Sequence, residues 1–152
     1  MKQSYVVGFM FSEDGKQVAL IRKEKPAWQK GKLNGIGGKL EPKEAPLDAM
    51  VREFLEETGF ETTVDQWNYF ARLDGDNGTR KETGAFVVHC FACTGCLSLL
   101  KNMEEEAIEI VALKDILSFT SDEIVDNTTW LVSLAHDHLN DGRPRFVSVD
   151  YP

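Results

Sequence analysis

The order of apolar patterns along this chain predicts an α/β fold, with a mixed sheet carrying helices on both faces. Three observations lead there. Short β-rich runs are punctuated by turn residues, and two longer stretches, 45–58 and about 121–139, carry helical spacing and end signals. The chain has 152 residues, 42% of them hydrophobic, which supports one core rather than two. No repeat, linker or low-complexity segment interrupts it, so residues 1–152 are expected to form one domain.

The elements follow in order. Residues 4–11 and 17–23 read as a hairpin of strands joined by the turn Glu13-Asp14-Gly15-Lys16. Residues 24–37, rich in Lys, Pro and Gly, read as a loop. From 45 to 58, Leu47, Met50, Val51, Phe54 and Leu55 recur at helical spacing and form one stripe for burial. Pro46 falls in the first turn of that helix, and Gly59 follows its last turn as a C-cap. Strands are expected near 62–74 and 84–93, linked by the charged loop 75–83. A short strand near 107–113 leads to a turn. Ser121 or Asp122 caps the second helix, which runs to about Leu139, and residues 145–149 make a final edge strand.

Composition narrows the function. With 25 acidic against 17 basic residues the net charge is −8. A nonspecific nucleic-acid binder draws its affinity from basic phosphate contacts, so no nucleic-acid polymer is expected as partner. No apolar run approaches the roughly 18 residues of a membrane span. The N-terminus MKQSYVVGFMF lacks the layout of a secretory signal, so a cytoplasmic location is expected and no membrane partner. Cys90, Cys93 and Cys96 read C-x2-C-x2-C, with only His89 nearby as a fourth ligand. Cys90 and Cys93 would face opposite sides of one strand, and buried reduced thiols are the default reading.

The sharpest signal is residues 38–60, GKLEPKEAPLDAMVREFLEETGF. On the helix, Glu53, Glu56 and Glu57 stand at i, i+3 and i+4, projecting within reach of one another. Like charges at that spacing each destabilise a helix by a few tenths of a kcal/mol, and Arg52 is a single cation against all three. A hard divalent cation compensates them, because Mg2+ takes oxygen ligands and prefers one or two carboxylates plus substrate phosphates. The competing reading is a solvated acidic face, the usual meaning of a charge run.

The full spacing is G-x5-E-x7-R-E-Φ-x-E-E-x-G-Φ, carried by Gly38, Glu44, Arg52, Glu53, Glu56, Glu57 and Gly59, with Phe54 and Phe60 at the apolar positions. Seven fixed positions match by chance on the order of once in 10^8 windows. The pattern resembles the Nudix box, the signature of hydrolases that cleave a nucleoside diphosphate linked to another group. The resemblance implies a Nudix-type α/β/α sandwich with a mixed central sheet, and a single Nudix hydrolase domain over 1–152. It implies Glu53, Glu56 and Glu57 as ligands of Mg2+, with Mn2+ as substitute, and the Gly38 carbonyl beside them. It makes Glu44 a supporting carboxylate and gives Arg52 the role of orienting the glutamates. Glu53 is the first choice for the base that takes a proton from water. Gly37 and Gly38 would let the backbone turn sharply beside the site.

Beyond the box the readings divide. Glu104, Glu105 and Glu106 precede a strand where the family often supplies another carboxylate, with Glu105 and Glu106 the accessory candidates; a solvated turn is the alternative. Arg22, Lys23 and Lys39 are phosphate-contact candidates, or only surface charges. The segment GKLNGIGGKLE at 31–41 is similar to that of the family's oxidised purine nucleoside triphosphate hydrolases, in which an Asn matching Asn34 bonds the base. Aligning on Trp130 brings Asp126 and Asn127 opposite an acidic pair, the second position departing from acid to amide. Trp28 and Phe9 or Phe11 are aromatic candidates for stacking, although strand aromatics more often belong to a core.

The implied activity is Mg2+-dependent cleavage of a (d)NTP to a monophosphate and pyrophosphate, with an oxidised purine such as 8-oxo-dGTP among the candidates. Nucleotide sugars, ADP-ribose and dinucleoside polyphosphates are alternatives, as is a non-catalytic module that senses a nucleotide. A small-molecule nucleotide is the expected partner, and the chain is expected as a monomer or homodimer.

Overall fold

The computed structural model describes residues 2–75, 84–141 and 145–151. The predicted charged loop falls largely on 76–83, outside the described residues. The strands are β1 (Gln3–Phe11), β2 (Gln17–Arg22), β3 (Leu33–Asn34), β4 (Ile36–Lys39), β5 (Asn68–Gly75), β6 (Phe86–Thr94), β7 (Ala107–Ala112) and β8 (Val147–Tyr151). The helices are α1 (Pro46–Thr58) and α2 (Asp126–Asn140).

These strands form one mixed sheet in the order β3-β2-β1-β6-β5-β8, with β4 pairing β1 and β7 pairing β2. The central pair β1 and β6 is parallel from Gln3 opposite Phe86 to Phe11 opposite Thr94. On its other edge β1 is shared. Met10 and Phe11 pair with β2, while Tyr5, Val6, Val7 and Gly8 pair with Lys39, Gly38, Gly37 and Ile36 of β4.

Side-chain alternation splits the core into two layers. Val7, Phe9 and Phe11 of β1 join Cys90 and Ala92 of β6 and meet Leu131, Val132 and Ala135 of α2. Val6 and Met10 join Phe91 and Cys93 and meet Ala49, Met50 and Phe54 of α1. A strand covered on both faces reads as a continuous apolar run, which is why 4–11 shows so few polar residues. The result is the expected α/β/α sandwich. Cys90 and Cys93 lie on opposite faces, both buried, and burial pushes both thiols above the ordinary cysteine range; Cys96 is exposed.

Several boundaries differ from the sequence expectations, each for a local reason. The strand expected from 62 begins at Asn68, because Thr63 and Gln66 close a capping box around the short turn Val64–Gln66. The last strand is displaced to Val147–Tyr151. The second helix starts at Asp126 rather than behind Ser121 or Asp122. Leu33 N donates to Glu123 O and Val125 N donates to Leu33 O, both at 2.9 Å, which holds that lead-in extended against β3. Within the expected loop 24–37 the structure forms β3 and the start of β4.

In α1, Pro46 stands at N1 and Gly59 closes the C-terminus at φ 70°, donating to Leu55 O. Met50 and Phe54 are fully buried and Leu47 and Val51 pack at the edge, but Leu55 is 43% exposed. It stands about 100° around the helix from Phe54, off the buried stripe. No helix among the described residues is long and apolar enough to cross a membrane.

Candidate active site

The site is built where β4 meets α1. Strand β4 runs straight through Gly37 and Gly38 in register with Val7 and Val6, so these glycines do not form the sharp turn expected of them. They permit close approach instead. A Cβ at Gly37 would stand 2.0 Å from Val6 O, and one at Gly38 would stand 2.6 Å from the Glu53 carboxyl carbon. The backbone of β4 therefore lies directly against a glutamate of α1, one turn above Ala49 on the buried side.

Arg52 gathers the surrounding carboxylates. Its Nε and Nη2 donate to Glu44 Oε2 and Oε1, each at 2.8 Å, and Nη2 also donates to Lys39 O at 3.1 Å. Its Nη1 donates to Glu53 Oε1 at 2.9 Å and Glu56 Oε2 at 3.3 Å. The paired bonds from Arg52 hold the Glu44 carboxyl below the usual carboxylate range, helped by the Glu41 backbone N–H. Glu53 is raised, because burial outweighs the Arg52 guanidinium.

Glu57 is the carboxylate that Arg52 does not reach. It is 6% exposed, and its Oε2 has no hydrogen-bond partner among the described residues. Burial first, then repulsion from Glu53, push its pKa up to about 8, with Lys23 opposing. An unpaired ionised carboxylate in such a place is costly, so the group is neutral near pH 7 unless a cation joins it. An orphaned buried oxygen near a second carboxylate suits a hard, oxygen-seeking cation. Glu53, Glu56, Glu57 and the Gly38 carbonyl are the groups that could hold one. Among the described residues no three acidic, His or Cys side chains already converge as a closed cage, and Arg52 gathers Glu53 and Glu56.

The loop before β7 is docked on the end of α1 by Lys101 N donating to Thr58 O and Met103 N to Glu57 O. Glu104 and Glu105 are exposed, and Glu104 is near enough to raise both Glu53 and Glu57. Glu106 is occupied: Oε1 accepts from Lys23 Nζ at 3.1 Å, and Oε2 accepts from the backbone N–H of Glu24 at 2.6 Å and Lys25 at 3.4 Å. These donors hold its carboxyl below the ordinary glutamate range against the effect of burial. Lys23 is thus tied to Glu106, Arg22 pairs with Glu109, and Lys39 is exposed.

Asn34 lies against the start of α2, since Leu33 bridges Ile124 and Val125, and its amide is joined to residues that the sequence did not single out. Its Oδ1 accepts from Gly35 N at 2.7 Å and from Thr128 Oγ1 at 3.0 Å, and its Nδ2 donates to Gln29 Oε1 at 3.1 Å. Thr128 is fully buried in the first turn of α2, while Asp126 is exposed and Asn127 half-buried. Of the candidate stacking rings, Phe9 and Phe11 are buried in the α2-side core and cannot receive a base; Trp28 is 45% exposed.

Known proteins resemble this chain in sequence over part of its length and in fold over most of it. One relative, the CTP pyrophosphohydrolase of Escherichia coli (strain K12), is 39% identical over 67 residues, covering 44% of this chain and 49% of that protein. The chain thus spans about half the length of that curated relative. Among solved structures, the NUDIX domain of Shewanella oneidensis NrtR complexed with ADP ribose superposes with a TM-score of 0.75 at 15% identity, over 92% of this chain and 90% of that one. A structure from work on MutT of Aliivibrio salmonicida and Vibrio cholerae gives a TM-score of 0.65 at 19% identity, over 88% and 98% of the two chains. The NUDIX domain model matches residues 1–130, which takes in the glycine-lined strand β4, the carboxylate helix α1 and the Glu104–Glu106 loop, and so the chain belongs to the NUDIX family.

Proposed function

We propose that this chain is a divalent-cation-dependent hydrolase that cleaves a phosphoanhydride bond in a nucleoside diphosphate derivative. A nucleoside triphosphate is the proposed substrate, giving the monophosphate and pyrophosphate, and 8-oxo-dGTP is the first oxidised purine to test. The observation that carries the reading is Glu57: buried, its Oε2 without a hydrogen-bond partner among the described residues, and near enough to Glu53 for the two carboxylates to repel. A structural carboxylate would be paired. A ligand carboxylate is not paired until its cation binds.

Mg2+, or Mn2+ in its place, would supply charge neutralisation at the phosphate oxygens and a lowered pKa for a bound water. The protein's own residues then divide the remaining work. Glu56 and Glu57 supply oxygens for the cation together with the Gly38 carbonyl. Glu44 holds Arg52, and Arg52 holds the Glu53 carboxyl by one oxygen at 2.9 Å. Glu53 takes the proton of the attacking water; its raised pKa suits a base that works near neutrality. Lys23, held beside Glu57 by Glu106, offers its ammonium to the phosphates.

The likeness to a CTP pyrophosphohydrolase supports the reaction class, and the ADP-ribose-bound NrtR domain keeps ADP-ribose among the ligands to try. The test is the appearance of nucleotide products, separated by chromatography, from a panel of 8-oxo-dGTP, dATP, CTP, ADP-ribose and diadenosine polyphosphates, with and without Mg2+, for the parent and Glu57→Gln. Metal-dependent turnover that Glu57→Gln abolishes supports the reading. Turnover indifferent to that change contradicts the mechanism, and binding without turnover of any compound favours a nucleotide-sensing module.

A further inference from the structure

The hydrogen-bond pattern around Asn34 fixes the orientation of a second amide. A backbone N–H can only donate, so the Asn34 atom 2.7 Å from Gly35 N must be the oxygen. The Asn34 amino group is then the end facing Gln29, and the Gln29 atom that receives it at 3.1 Å must be Oε1. The Thr128 hydroxyl completes the lock by donating to Asn34 Oδ1 from a fully buried position. Gln29 therefore turns its NH2 group away from this network. Among the described residues no hydrogen bond occupies Gln29 Nε2.

The backbone below Gln29 is equally defined. It closes the short turn Ala27–Gln29, donating from its N–H to Pro26 O at 2.9 Å, while its own carbonyl accepts from Lys32 N at 2.9 Å. A partly exposed amide on a fixed backbone, with one end locked, presents two N–H donors at little ordering cost. Its partner Asn34 lies four residues from Gly38, no more than about 13 Å at the rise of an extended chain. That span is comparable to a nucleotide reaching from phosphate to base.

We infer that Gln29 is a specificity-determining residue whose outward NH2 group donates to an acceptor on the nucleotide base, a carbonyl oxygen or an unprotonated ring nitrogen, and that Asn34 and Thr128 position it. This rests on the proposed nucleotide site, in which the phosphates lie at Gly38 and α1. Asn34 then acts on Gln29 through Nδ2, while its oxygen is held by Gly35 and Thr128.

The test is equilibrium binding in the presence of Mg2+, using the α,β-methylene analogues of GTP, ATP, CTP and UTP and inorganic tripolyphosphate. Gln29→Glu keeps an oxygen toward Asn34 and replaces the outward donor by an acceptor; Gln29→Met removes it without adding charge. The best-bound analogue should weaken by about tenfold in both variants, the worth of one directed hydrogen bond. The ranking of bases should change, while tripolyphosphate binding to Gln29→Met stays within about twofold of the parent on the same scale of energies. An unchanged ranking in both variants overturns the inference, as does an equal loss for tripolyphosphate and nucleotides. Failure of any analogue to bind the parent also overturns it. Hydrolysis is read separately: a parent that binds analogues but cleaves no natural nucleotide removes the hydrolase reading, and Gln29 is then judged on the ranking alone.

Discussion

Arg52 grips Glu44 with two parallel bonds of 2.8 Å, one to each carboxylate oxygen, across eight residues of sequence. The same guanidinium then has Nη1 left for Glu53 and Glu56. Glu44 therefore sets the angle at which Arg52 meets the helix carboxylates, although it stands outside the cation set itself. Glu44→Gln should lower metal affinity or turnover by about 10–100-fold, the usual effect of losing a partner behind a metal ligand. Arg52→Lys should do as much, because an ammonium cannot reproduce the fork. Metal titrations and initial rates check both; activity within twofold of the parent would remove this positioning role.

Gly37 and Gly38 are adjacent, yet their alanine variants should fail differently. The new Cβ of Gly37→Ala meets backbone, Val6 O at 2.0 Å, so the strand pair itself must move. Overpacking of that kind costs about 1–3 kcal/mol or more, read as a lowered Tm. Gly38→Ala meets the Glu53 carboxyl, the end of a flexible side chain, so it should fold with a Tm near the parent's while activity drops. The comparison needs only thermal melts and one activity assay. The reverse order of effects would contradict the contacts at both positions.

Glu106 should act on substrate binding more than on the chemical step. Its two oxygens are engaged by Lys23 and by the backbone of Glu24 and Lys25, leaving it poorly placed to take a proton from water. Glu106→Gln should loosen Lys23 and raise KM several-fold with kcat changed less, as expected when a phosphate contact is lost equally in ground and transition states. A fall in kcat of about a hundredfold or more at unchanged KM, the scale of a lost proton-transfer group, would assign Glu106 as the base instead.

The metal-free protein should lose stability as pH rises. Glu57 has a pKa of about 8 in the fold, above the roughly 4.3 of an unfolded glutamate, so the native state holds the extra proton between those values. Its contribution is present in full below the unfolded value and is lost as pH climbs through about 8. Melts of the parent in chelator should therefore fall in Tm, relative to Glu57→Gln, from about pH 5 to pH 8, since Gln does not ionise. Saturating Mg2+ should remove the difference. Parallel pH profiles for the two proteins in chelator would show that Glu57 is not held neutral by its surroundings.

Much of this was legible in the residues. The helix α1 and its carboxylates announced themselves because periodicity, Pro46, Gly59 and the acidic spacing all point one way. Strands β3 and β4 did not: four of the residues in 33–39 are Asn or Gly, and their pairing is imposed by β1 and β2 rather than by local preference. The start of α2 was hidden for a similar reason, since residues 123–125 are held by Leu33 across the chain. Asn34 could be singled out from its neighbours in sequence, but Gln29 and Thr128 could not. Their part depends on which hydrogen-bonding end of Asn34 faces each, a property of three dimensions alone.

In the proposed mechanism α1 and Gly38 hold a divalent cation through Glu57. Titration of Mn2+ into the parent and into Glu57→Gln, followed by the loss of the free-ion electron spin resonance signal, tests it without any assumption about substrate. The expected result is saturable binding to the parent, weakened about 10–100-fold or more by Glu57→Gln. Equal binding by the two proteins, or none by the parent, would contradict it.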